Sequence, residues 1–450
     1  MTDARLKRWQ TITACTLFVG YAGYYLGRSC LAIAKPLMLA PESGLGLNRK
    51  HLGYVDSTGV VAYAVGKVLN GVIVEYLGGR RMFLVGMVAT VAFTTVFGLS
   101  AGLPFFLGIW GANRFVQSMG WPALVKTSSR WYPLGGQATV MGFLSLSFLL
   151  GDAVIRLYLG GIVKIGQEHS ETPLGQLADW RAVFLIAAAS LGAIALLTLA
   201  LLRSSPRDLG LEEPSANPNN VFGEAGQSAA TVPLKDLILP MLESPVFWSI
   251  CGINFGLTLI RETFNNWSTT YLSDVGLSAG DAGIASLSFP LAGGISAIVA
   301  GLLSDRLRGR HGLVVVPSLI LATMSLYVMG VVDVAGKPRA AIALISVTSF
   351  FLIGPYTYLS GVMALDLGGK RGSSTAAGLL DGAGYLGAIA SGAGVAWIAD
   401  KYQWGVAFQS LSLACALTLI FARAYLILSE RRRHSRPRDD FSATESEPNR

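Results

Sequence analysis

Gly71-Val72-Ile73-Val74-Glu75-Tyr76-Leu77-Gly78-Gly79-Arg80 returns 230 residues later as Gly301-Leu302-Leu303-Ser304-Asp305-Arg306-Leu307-Arg308-Gly309-Arg310. Glycine, acid, glycine and arginine keep the same spacing in both copies. Each copy sits between the second and third of six long apolar runs. The runs fall at roughly 11–35, 53–75, 82–102, 105–128, 138–163 and 182–203, then at roughly 246–272, 281–304, 312–332, 340–364, 373–398 and 404–428, each about long enough to cross a bilayer as a helix. A repeat at half-chain distance predicts two similar units around a central path. The expected fold is an all-α membrane protein of twelve transmembrane helices in two pseudo-symmetric six-helix bundles.

The bundles are expected at 1–203 and 245–428. Between them, 204–244 holds Pro206, Pro214, Asn217, Pro218, Asn219 and Asn220 and reads as a flexible linker. The tail, 429–450, continues into Arg431, Arg432 and Arg433 and reads as disordered, its basic start able to meet anionic lipid. Composition agrees. The 450 residues are 52% hydrophobic and 14% charged, where soluble domains carry about 25% charged residues. No large soluble catalytic domain fits, and no nucleophile–base pair, metal cluster or phosphate-cradling glycine loop is legible. An enzyme, a metal and a cofactor are therefore not expected.

Cys15, Cys30, Cys251 and Cys415 lie in apolar runs and read as packing residues. The net charge of +8 is spread over loops, which sets topology rather than binding nucleic acid. Lysine and arginine concentrate in the even-numbered loops and tails, placing both termini in the cytoplasm. The first apolar run reads as a retained helix rather than a cleaved signal. Short loops suggest a bacterial inner membrane, and a monomer suffices.

Charges inside spans are costly and need a reason. Arg28 and Arg261 stand out, because each lies at comparable depth in the first helix of its half. Pseudo-symmetry predicts two guanidiniums facing one another across the cavity. Tyr21, Tyr24 and Tyr25 share a helical stripe with Arg28, and Asn254 and Asn265 share one with Arg261. Lys67 has Tyr63 and Asn70 on its face. Fixed cations with hydrogen-bonding neighbours and few intramembrane acids predict an anion site, and arginine forks suit phosphate oxygens. The alternative is structural pairing with Asp56, Asp152, Glu262 or Asp381. Asp152 and Arg156 stand four apart and can neutralise each other, while Asp381 could meet Lys67 or an arginine. Either acid, with Arg156, is a candidate for coupling. In the repeat, Glu75 and Asp305 are expected to hold one conformation closed by pairing with basic residues or an opposing helix N-terminus.

The repeat resembles the loop signature of the major facilitator superfamily, with Glu75 in place of the usual aspartate. Arg114-Phe115-Val116-Gln117-Ser118-Met119-Gly120 resembles its helix-four motif, which would give Arg114 a conformational role beside Glu75, Arg80, Asp305 and Arg310. Gly20-Tyr21-Ala22-Gly23-Tyr24-Tyr25-Leu26-Gly27-Arg28 is similar to the helix-one signature of organophosphate:phosphate antiporters. So is Arg261 followed by Asn266-Trp267-Ser268-Thr269-Thr270-Tyr271-Leu272. Gly120-Trp121-Pro122, Gly354-Pro355, Ala364-Leu365-Asp366 and Ser374 to Gly378 add to the likeness. Asp381-Gly382-Ala383-Gly384-Tyr385-Leu386-Gly387 is similar to the sugar-phosphate exchanger branch.

The resemblance implies exchange of a phosphorylated metabolite (a sugar phosphate, glycerol phosphate or phosphoglycerate) for inorganic phosphate. Arg28 and Arg261 would clamp the phosphoryl group, with Lys67 nearby and Tyr21, Tyr25, Trp121 and Asn265 around the substrate. Some positions depart from the pattern. Ser29 stands where a lysine often follows the arginine, Phe148 replaces a helix-five histidine, and Asn266 replaces an acid. His51, His169, His311 and His434 are all expected in loops or the tail. A proton-coupled organic-anion carrier and a sugar-phosphate sensor of the same fold are the alternatives.

Overall fold

The computed structural model describes residues 2–434 apart from 219, 278 and 335. Fourteen α-helices occur among them, and the first seven build one bundle. These are α1 (Thr2–Leu39), α2 (Arg49–Leu77), α3 (Gly79–Leu99), α4 (Leu103–Gln117), α5 (Gly120–Trp131), α6 (Gln137–Glu168) and α7 (Trp180–Leu201). After α8 (Leu234–Leu242) come α9 (Pro245–Asp274), α10 (Ala279–Ser286), α11 (Ser288–Arg306), α12 (Gly312–Val331), α13 (Pro338–Leu359) and α14 (Val362–His434). Ser118 keeps helical angles between α4 and α5, so the two form one pass. Likewise α10 and α11 join through Leu287. Conversely, α14 is broken at Gly369, Gly372 and Gln403 into two passes. Six passes per half result, as the repeat predicts. The expected disordered tail lies, from residue 435 on, outside the described residues, and 429–434 extend α14.

Local chemistry starts and stops these helices. Asn48 caps α2 by accepting from the His51 amide at 2.9 Å, and Asp179 caps α7 through Arg181 at 2.8 Å. Gly78, at φ 87°, makes the turn from α2 to α3, a conformation that side chains with a Cβ resist. Leu99, Leu157, Leu196 and Ile284 are exposed, forming part of an apolar outer belt. Among the described residues, eight stretches are long and apolar enough to cross a membrane, one of them, Pro338–Ser391, holding most of two passes. Neither α1 nor α4 with α5 is among them; those passes bring Arg28, Arg114 and Lys126 into the interior.

The linker departs from expectation. The described residues of 205–227 are partly buried and folded, with short 3-10 turns at Pro206–Leu209 and Gly223–Gln227. Its asparagines are the reason. Asn220 accepts from Phe222 and donates to the carbonyls of Asn217 and Gly223, satisfying backbone that lacks a helix. Gln227 pairs with both backbone groups of Ala216. Residues that looked like breakers hold a fold.

Candidate functional site

The first glycine of each repeat copy is where the two bundles touch. A Cβ on Gly71 would lie 2.8 Å from the Gly378 Cα, and one on Gly301 would lie 2.8 Å from the Ala138 carbonyl oxygen. Thus α2 meets the first pass of α14, and α11 meets α6, backbone against backbone. One turn later the acids cross the same seam. Glu75 accepts from the amides of Ser374 (2.7 Å) and Thr375 (3.3 Å), where α14 restarts after Gly372. Asp305 accepts from the amides of Ala138 (3.2 Å) and Thr139 (2.8 Å) at the start of α6. Each acid therefore satisfies orphan donors at a helix N-terminus in the opposite bundle, worth about 0.5–2 kcal/mol apiece. Glu75 is also ion-paired with Lys126.

The repeat arginines do not cross this seam. Arg80 donates to the carbonyls of Leu202 (2.7 Å) and Leu199 (3.1 Å), and Arg310 forks onto Glu430 at 2.8 and 2.6 Å. Both pin the last pass of their own bundle, because α3 and α12 begin beside it. Arg114 is not at this seam either. Its guanidinium carbon lies 4.6 Å from the Tyr63 ring centroid, and it donates to Gln117 at 3.0 Å.

With this end closed, a central cavity remains between the bundles. Tyr21, Tyr25 and Arg28 reach it from α1, Tyr63 and Lys67 from α2, and Trp121 from α5. Ser145 and Phe148 on α6 complete that side, and across from them are Arg261 on α9, Tyr356 and Thr357 on α13, and Asp381 and Tyr385 on α14. Six of the seven expected substrate residues line it. Asn265 does not; it is exposed, further along α9. Tyr24 also turns away, donating to the Phe83 carbonyl at 2.6 Å.

The cations differ in how they are held. Arg28 stacks on Tyr63 and Tyr25, its guanidinium carbon 4.5 and 4.6 Å from the ring centroids, and donates to the Tyr25 hydroxyl at 3.1 Å. Arg261 stacks on Tyr356 at 4.4 Å and is ion-paired with Glu262. Lys67 and Asp381, 314 residues apart, form a buried pair at 2.5 Å that bridges the bundles. The expectation of uncompensated cations is thus corrected for Arg261 and Lys67. Even so, Arg28 and Arg261 each retain a buried Nε–H without a hydrogen-bond acceptor among the described residues. A buried donor left unmade costs about 1–3 kcal/mol. The arrangement therefore favours an anion that brings acceptors.

Asp152 and Arg156 pair at 2.8 Å, and Asp152 also takes the Ser29 hydroxyl, tying α6 to α1. Serine at position 29 thus has a partner of its own. Phe148 stands in an aromatic wall, 5.8 Å from Trp121 and 6.4 Å from Tyr356 between ring centroids. Tyr356 was missed in the sequence, where it is one aromatic among many beside Pro355. Its register with Arg261 exists only in three dimensions. His311, in the turn before α12, is buried between Ser304 (2.6 Å) and Asp366 (2.7 Å).

Comparison with known proteins follows the same lines. The family model described as "Major Facilitator Superfamily" matches residues 17–373 and 255–446. A "Probable hexose phosphate transport protein" of Chlamydia trachomatis is 27% identical over 438 residues, covering 93% of this chain and 91% of that protein. The "Glycerol-3-phosphate transporter" of Bacillus subtilis is 26% identical, covering 93% of each. The "Membrane sensor protein UhpC" of Escherichia coli is 26% identical, covering 94% of each. Among solved structures, a variant of the E. coli fucose:proton symporter FucP superposes with a TM-score of 0.70 at 12% identity, over 92% of this chain and 99% of that one. That last likeness concerns the fold alone.

Proposed function

The chain belongs to the major facilitator superfamily, and from that membership we propose a secondary transporter that exchanges a phosphorylated organic metabolite for inorganic phosphate by alternating access. The observation that carries this is the position of Arg28 and Arg261. One comes from each bundle, both line the same cavity, and both have an unaccepted Nε–H. The transporters for hexose phosphate and glycerol-3-phosphate among its relatives support the substrate class.

Charge matching supports it too. Among the lining residues, Arg28, Lys67 and Arg261 stand against Asp381, a surplus of two positive charges, with Glu262 paired to Arg261 from outside the lining. A phosphomonoester carries about −1.5 to −2 at neutral pH. The aromatic wall and the hydroxyls of Ser145 and Thr357 suit a polyhydroxylated carbon skeleton. In the empty protein the surplus opposes bringing the bundles together in a low-dielectric interior. A bound phosphate screens it and bridges both arginines, so the loaded carrier closes and switches more readily than the empty one. Exchange then follows from the site itself.

Reconstituted vesicles preloaded with phosphate should take up labelled phosphate or sugar phosphate at least tenfold faster than empty ones. Equal rates would remove the exchange mechanism, and uptake that collapses with an uncoupler would replace it with proton coupling through Asp381 or Asp152. With transport proteins among its relatives, the sensor alternative, binding without counterflow, is not favoured; saturable binding in protein that exchanges nothing would restore it. Both termini are assigned to the cytoplasm on the positive-inside bias, in a bacterial inner membrane, with a monomer embedded in lipid as the working unit.

A further inference from the structure

A tether between two moving bundles needs only reach, and an exposed polar chain would serve. This linker instead folds against both bundles at the closed end. Glu213, its side chain 3% exposed, receives the Arg130 guanidinium at 2.6 and 3.1 Å and the Lys370 ammonium at 3.3 Å. Arg207, within the linker, adds a longer contact at 3.5 Å. Arg130 ends α5 of the first bundle, whereas Lys370 lies in the break of α14 in the second. One carboxylate is therefore shared between the two halves.

We propose that residues 205–228 form a strap across this mouth, fastened at Glu213, and that the Arg130–Glu213 contact must break each time this end opens. The side on which it breaks follows from the other bonds. Val221 donates its amide to the Leu367 carbonyl at 2.9 Å, and Asn217 donates to Asp366 at 2.7 Å. Phe222 also lies over Gly372, within reach of any Cβ placed there. All three contacts belong to the second bundle, so the strap travels with it. Burial raises the Glu213 carboxyl, but its hydrogen bond and charge contact with Arg130, together with Lys370, outweigh that and hold it below the usual carboxylate range. Removing one partner of so enclosed a pair leaves the other uncompensated, which is why the strap resists opening. This device adds to the helix-end contacts of Glu75 and Asp305, and it rests on the alternating movement proposed above.

The test uses the full chain in nanodiscs, with Cys15→Ser to remove the exposed thiol and Ser374→Cys as a reporter buried behind the closed seam. Glu213→Gln should increase the rate of maleimide labelling at position 374 by about tenfold, the loss of one charge-assisted contact. Separately, Arg130→Cys with Glu213→Cys, joined by a short reducible bifunctional thiol reagent, should stop phosphate self-exchange, and reductant should restore it. The same treatment of Arg207→Cys with Glu213→Cys, both within the strap, should leave exchange intact. An unchanged labelling rate in Glu213→Gln, or undiminished exchange by the Arg130–Glu213 crosslinked protein, would overturn the strap. The labelling arm needs no substrate, so it stands even if the unmodified protein exchanges no phosphate. Should Glu213→Gln fail to fold, Arg130→Lys, which keeps the carboxylate and its Lys370 contact but loses the fork, should raise labelling in the same direction, and unchanged labelling there would overturn the strap.

Discussion

Arg28 and Arg261 hold equivalent places but live in different surroundings. Arg28 is enclosed by tyrosines, while Arg261 shares its charge with Glu262. Lysine at either position keeps the charge and loses the fork. Arg28→Lys and Arg261→Lys should each lower exchange by about 10- to 100-fold, the equivalent of one or two charge-assisted hydrogen bonds. Arg28→Lys should be the more damaging, because no carboxylate remains to place its ammonium. Retention of more than half the exchange rate in both variants would argue against a phosphate clamp. These arginines were readable in the sequence because a charge in an apolar run is conspicuous. Glu262 was only one of four candidate acids, and its pairing with Arg261 was not singled out, since neighbours one apart on a helix normally face different directions. Nor was Tyr356, an ordinary aromatic until α13 is set against α9.

At the scale of elements, the repeat is a device for bringing helices together. Its glycine lets two backbones meet, its acid caps a helix of the other bundle, and its arginine secures the last helix of its own. Gly71→Ala and Gly301→Ala would push a methyl against backbone that cannot yield. Both should favour the state open at the linker end. Labelling of Ser374→Cys should rise several-fold in Gly71→Ala, with the protein still inserted and monodisperse. Unaltered labelling would show that the seam has slack. The motif was legible from spacing alone, and so was the expectation that its acid meets a helix N-terminus. Which helix it meets was not, because the partners lie about 300 residues away for Glu75 and 167 for Asp305. The linker was misread for a related reason. Asparagine, glycine and proline signal irregular backbone, and irregular backbone can still be packed when side chains satisfy it.

The whole molecule is two similar bundles that share one cavity and are joined at one end by two capped helices and a strap. A ligand that bridges the bundles should stabilise the assembly against heat. At 100 times its dissociation constant the gain is about 2.7 kcal/mol. Phosphate should thus raise the apparent Tm of the intact protein, and the rise should vanish in the Arg28→Lys, Arg261→Lys double variant. Sulfate should give a smaller shift if charge is matched as well as shape. An equal shift in the double variant would place the stabilising anion elsewhere. Hydropathy, the 230-residue repeat and two arginines in first helices were enough to specify the class of fold, the two halves and the sign of the ligand, because each depends on composition or on spacing along one helix. The choice of Lys67 rather than an arginine as the partner of Asp381, the bond between Glu213 and both bundles, and the place of Asn265 outside the cavity emerged only from the folded chain. Such contacts depend on how one bundle sits against the other, and no local periodicity encodes that.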